Sequence, residues 1–145
     1  MDLKELYKRA TLYPSVITII ATIVFVTIDN YNYKSEWMTG EAFSGFEIIM
    51  AFFYCIFISA LILPIFLNSY SIISQNRVFN FLSWFLLPMS LIVVVITHEV
   101  KYYLEYSHHF DSSLIAVIIL NLPFLTALVW TYCSYIKHQK VGNLP

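Results

Sequence analysis

The sequence predicts an all-α integral membrane protein, with four transmembrane helices in an up-down bundle and both termini on the cytoplasmic side. A short interfacial helix is expected ahead of the first span. Three observations predict this. Of the 145 residues, 59% are hydrophobic and 12% are charged, about half the charged share of soluble domains. Four runs carry no charge at all: Leu12–Ile28, Ile48–Leu67, Val78–Thr97 and Ser113–Ile136. Each is near the roughly 17–25 residues that a helix needs to cross a bilayer. Nowhere does polarity alternate with a period of two, as the strands of a membrane barrel require.

In chain order, residues 1–13 place Leu3, Leu6, Tyr7, Ala10 and Tyr13 on one helical stripe, with Lys4, Lys8 and Arg9 elsewhere. That pattern suits a helix lying in the membrane interface. Pro14 then opens the first span, as a first-turn residue. Polar residues Asp29–Tyr33 follow that span without a small-residue cleavage pattern, so it reads as an uncleaved signal anchor. Ser44-x-x-Glu47 reads as a capping box that starts the second helix. The stretch from Asn68 to Arg77 is a short polar loop. Val100 to Leu104 continue the helical pattern of the third span about two turns past Thr97. Asp111, Ser112 or Ser113 can cap the fourth helix. With no repeats or flexible linkers, the chain reads as a single four-helix domain over residues 1–145.

Charge placement sets the expected orientation. Six of the eight basic residues (Lys4, Lys8, Arg9, Arg77, Lys137 and Lys140) fall on segments at one end of the spans, and seven of the nine acids on the opposite segments. A cytoplasmic basic end then follows from the positive-inside rule. Trp37, Tyr102, Tyr103 and Tyr106 suit one interfacial belt, and Tyr7, Tyr13, Trp84, Trp130 and Tyr135 the other. No organellar presequence is visible, and a bacterial inner membrane suits so short a chain.

Glycine is absent from the four runs, so helices must approach through other small residues. Ala51, Cys55 and Ser59 form a small-xxx-small stripe on the second helix; Ser15, Thr18 and Thr22 form one on the first. Pro64, Pro88 and Pro123 should each bend a helix. Asn121 is the most polar residue deep in a span. Its amide is expected to join helices and to reach the carbonyl freed near Pro123.

The chemistry-bearing cluster is THEVKYYLEYSHHFD, Thr97 to Asp111. On a helical extension, His98, Tyr102, Glu105 and His109 share one face. His98, Glu105, His108, His109 and Asp111 offer imidazole and carboxylate donors of the kind zinc or copper takes. Their spacing matches no metal signature, so the first expectation is a hydrated acidic collar and no cofactor. Cys55 and Cys133 should sit about 18 Å apart in height at 1.5 Å per residue, which a disulfide cannot span.

These residues point away from catalysis. No carboxylate lies inside a charge-free run to relay protons, and no nucleophile finds a base at its own depth. The basic residues are too few for nucleic acid and suit anionic lipid instead. The expected function is to bind, in the lipid bilayer, another membrane protein or a second copy of the chain. Two versions fit: an accessory subunit of a complex, or an inhibitor of a membrane-targeting toxin. In its small helical build with short loops, the chain is similar to immunity proteins against pore-forming bacteriocins. A metal- or proton-linked transporter or membrane enzyme using the histidine cluster, and a self-assembling pore-forming effector, are the alternatives.

Overall fold

The computed structural model describes residues 2–29, 40–106 and 112–142, with side chains except at positions 29, 40–44, 99, 102–103, 105–106, 112–114 and 140–142. The helices are α1 (Leu3–Asp29), α2 (Gly40–Leu61), α3 (Ser71–Gln75), α4 (Arg77–Tyr106) and α5 (Ser112–Gly142), with a 3-10 segment at Leu63–Ser69 between α2 and α3. No strand occurs among the described residues. Four stretches are long and apolar enough to cross a membrane: Leu3–Ile28, Gly45–Ser69, Arg77–His98 and Ile115–Gln139. They indicate a multi-pass membrane protein.

The N-terminus differs from expectation. No separate interfacial helix precedes the first span: α1 runs unbroken from Leu3 through Pro14 to Asp29. The stripe read as lipid-facing is turned inward, because Leu6 and Ala10 are fully buried in the same core cluster as Ile58, Ile62, Ile65 and Trp84. The Tyr7 hydroxyl donates to the Ser59 carbonyl near the end of α2 at 3.0 Å, and its ring lies 5.3 Å from that of Phe66. These contacts hold the first turns along the axis of the helix and against the end of α2 and the 3-10 segment. Pro14, though it lacks a donor, is tolerated inside a membrane helix whose neighbours re-satisfy the backbone.

The second helix also starts elsewhere than expected. It begins at Gly40, four residues before Ser44, so Ser44-x-x-Glu47 lies within the helix and is not its cap. At its other end Pro64 decides the geometry. Proline has no N–H and crowds the carbonyl four residues back, so the α pattern yields to a 3-10 turn in which Ile65 N bonds to Ile62 O at 3.1 Å. The expected polar loop therefore contains structure. Tyr70 is extended, α3 follows, and extended Asn76 accepts from the Val78 and Phe79 amides at 2.9 and 3.4 Å. Asn76 thus caps α4.

α4 extends to Tyr106, as the pattern past Thr97 predicts, and α4 and α5 pass through Pro88 and Pro123 without ending. α1 is the central element, packed most extensively against α5 and then α2. α4 docks on α5, the 3-10 segment and α3. Its described buried residues (Asn80, Ser83, Trp84, Phe85, Pro88 and Ile92) end just past its midpoint. Beyond Ile92 its described side chains are exposed or half-buried. Aromatic rings cement the packed half: Phe85 and Trp84 lie 5.2 and 5.5 Å from Tyr132, and Trp84 lies 5.4 Å from Tyr135. Trp84, wholly buried, and Tyr135 are therefore core residues and not members of a lipid belt; Trp130, 76% exposed, does face outward.

Candidate functional site

Hydroxyl groups in hydrocarbon need a partner, and the cheapest is the carbonyl one turn back. Thr11, Thr27, Thr97, Thr126 and Thr131 all use it, at 2.5–2.9 Å. Thr18 and Thr22 do not: both are buried, and neither hydroxyl has a hydrogen-bond partner among the described residues. They sit on the α1 stripe of small residues. Ala51 and Cys55 on the α2 stripe are buried too, and half-buried Ser59 turns its hydroxyl to the Cys55 carbonyl at 2.7 Å. The two stripes thus lie where α1 and α2 meet. Cys55 and Cys133 are both free thiols.

Toward the C-terminal end of α1 this packing opens into a cleft. Thr22 and Val26 of α1 form its floor, Met50 and Tyr54 of α2 one wall, and Ala116 and Leu120 of α5 the other. Its volume is about 450 Å³, within the roughly 300–1,000 Å³ usual for ligand pockets. Beside it, α2 and α5 are tied by one hydrogen bond: the Tyr54 hydroxyl donates to Asn121 Oδ1 at 2.5 Å. Asn121 Nδ2 donates to the Val117 carbonyl at 2.8 Å. So Asn121, 4% exposed, has Tyr54 as its interhelical partner and Val117 as its backbone one. The carbonyl that Pro123 deprives of a donor belongs to Ile119 and is not the one it uses.

No family model, curated protein or solved structure matches this chain. What the site can do therefore rests on its own chemistry.

His98 is an exposed residue of α4. The side chain of Glu105 and the whole of His108, His109 and Asp111 lie outside the described residues, so His98 alone of the expected metal ligands has a described side chain. Among the described residues, no three His, Cys, Asp or Glu side chains gather closely enough to hold a metal ion.

Sequence reasoning missed a second polar assembly, at the basic end. Asn68 Nδ2 donates to the Ile65 carbonyl at 2.9 Å and to Ser83 Oγ at 2.6 Å; Ser83 Oγ donates to the Asn80 carbonyl at 2.7 Å. The Ser74 carbonyl accepts from Asn80 Nδ2 at 3.3 Å and from Gln139 Nε2 at 3.5 Å, and Gln139 also reaches the Tyr135 hydroxyl at 2.6 Å. This network staples the 3-10 segment and α3 to α4 and α5. The available signal was the pair Asn68 and Asn80, two amides at the edges of apolar runs, each needing a partner. Tyr54 carried the same signal for Asn121, 67 residues away.

Proposed function

We propose that this is a non-catalytic polytopic membrane protein that acts by binding another membrane protein, as an accessory subunit of a complex or as an immunity-type inhibitor of a membrane-targeting toxin. The observation that carries this reading is the shape of α4. Its first half is packed and hydrogen-bonded; past Ile92, Val93, Val94, Val100 and Leu104 are 45–72% exposed. A helix that exposes these apolar side chains offers a lateral surface to a partner helix, where close van der Waals packing drives association. The polar pair between α2 and α5 supports the same reading: Tyr54 and Asn121 are engaged with each other, in a joining role.

A photoreactive amino acid at Val94 or Leu104, in cells of the original host, should capture one polypeptide in stoichiometric yield. The same group at buried Ile58 should capture none. Labelling of lipid alone from both α4 positions would overturn the partner reading. In the inhibitor version, expression of the chain in addition protects sensitive cells from a pore-forming toxin.

The orientation belongs to the same proposal: both termini cytoplasmic, in a bacterial inner membrane, with the bundle running up and down. In a Cys133→Ala background, Glu36→Cys should react with an impermeant thiol reagent in intact cells and Asn76→Cys should not. Reversal of the two would turn the protein over and place the histidine cluster in the cytoplasm.

A further inference from the structure

The outer face of α5 carries a groove that a protein partner on α4 leaves unused. Side chains four residues apart on a helix line up as ridges. Leu125, Val129 and Cys133 make one ridge, which ends in Lys137, and Thr126 and Trp130 make a second beside it. The groove along them has a volume of about 650 Å³. Val129, Trp130 and Cys133 are all exposed, so the groove lies open to lipid along its length. From Leu125 to Lys137 it follows α5 for twelve residues, roughly 18 Å at 1.5 Å per residue. That is a little more than half of the roughly 30 Å hydrocarbon core, the depth of a single leaflet. One acyl chain fits along it with its headgroup level with Lys137.

Charge selects the headgroup. Lys137 is exposed and has no ion-pair partner among the described residues, and no carboxylate is among the described side chains that line the groove. Its ammonium rides on a flexible four-carbon stem, so an exposed Lys137 can follow a phosphate at the groove's end. The surroundings have the same sign. Gln139 donates to the Ser74 carbonyl, which brings the end of α5 beside the start of α4 and exposed Arg77. Lys4, Lys8 and Arg9 belong to the same end of the spans, and of these Arg9 alone has a described carboxylate partner, Glu5 at 3.4 Å. A zwitterionic head would bring its own cation into this field, whereas an anionic head meets attraction only. We infer that the α5 groove binds an anionic phospholipid, with an acyl chain against Leu125, Val129 and Trp130 and the phosphate at Lys137. The inference stands on α5 alone and is independent of whether α4 takes a partner.

The test makes Trp130 the reporter. The full chain carrying Trp37→Phe and Trp84→Phe is reconstituted in phosphatidylcholine vesicles, and chain-brominated phosphatidylglycerol or phosphatidylcholine is titrated in as a contact quencher of the indole. Phosphatidylglycerol should quench Trp130 with a relative affinity about fivefold above phosphatidylcholine, the gain expected from one lysine at the surface. Lys137→Gln should abolish that preference, and Lys137→Arg, which keeps the charge, should retain it. Arg77→Gln removes the same charge from the same end and should leave the preference in place. Equal quenching by the two lipids would overturn the site. So would equal losses in Lys137→Gln and Arg77→Gln protein, because a diffuse surface field would then account for the preference. Inorganic phosphate, added at constant ionic strength, separates lipid from free anion: the preference should persist, and its loss would reassign Lys137 to a soluble phosphate.

Discussion

Trp84→Ala should destabilise the protein by about 2–3 kcal/mol, measured by equilibrium unfolding in mixed detergent micelles followed by far-ultraviolet circular dichroism. Truncating a buried tryptophan in a soluble core costs about 3–5 kcal/mol. In a bilayer the transfer part of that cost is small, since lipid is as apolar as a protein core, and the lost contacts and the cavity remain. Trp84 is wholly buried and touches Tyr132 and Tyr135, so α4 loses much of its hold on α5. The indole N–H, however, has no hydrogen-bond partner among the described residues. Trp84→Phe removes that orphan donor and keeps most of the ring, so it should fall within about 1 kcal/mol of the parent. A cost below about 1 kcal/mol for Trp84→Ala would mean that the α4–α5 aromatic contact is not what holds α4 in place.

Asn68→Ala should cost about 1–2 kcal/mol, from two lost hydrogen bonds at roughly 0.6–1 kcal/mol each within a membrane. The bonds are those to the Ile65 carbonyl and to Ser83 Oγ. The effect should be local as well as global. Amide exchange across residues 63–75 should accelerate, because Asn68 ties the 3-10 segment to α4, while exchange in the first half of α5 stays unchanged. A double-mutant cycle with Ser83→Ala should show coupling of about 0.5–1 kcal/mol, the range for residues sharing one network. Additive costs would separate Asn68 from Ser83 and remove the staple from the account.

Much of the architecture is legible in the order of the amino acids. Runs such as Ile48–Leu67 and Val78–Thr97 declare helices by length and apolarity alone, because hydrocarbon leaves the backbone no other way to pair its polar groups. The continuation of α4 past Thr97 is legible for a similar reason, since the helical period persists when the apolarity ends. Where sequence reasoning misleads, packing outvotes a local signal. The stripe Leu6–Ala10 looks the same whether it faces lipid headgroups or a helix bundle, and only the burial against Ile62 and Ile65 and the Tyr7–Ser59 bond decide between them. Ser44-x-x-Glu47 has the spacing of a cap but begins four residues inside α2.

The candidate sites divide in the same way. Asn121 stands out as a polar residue that must find a partner in hydrocarbon, and that requirement is a property of the residue type. Its partner, Tyr54, is a property of how α2 and α5 lie against α1, and no spacing along the chain encodes it. The cleft between α1, α2 and α5 arises likewise, from three helices meeting at one end. The sequence by itself determined the solvent, the helices and the residues that could not remain unpaired, because burial in lipid acts on each residue separately. Only the tertiary structure decided which groups pair and where a cavity opens, because contact is a joint property of segments far apart in the chain.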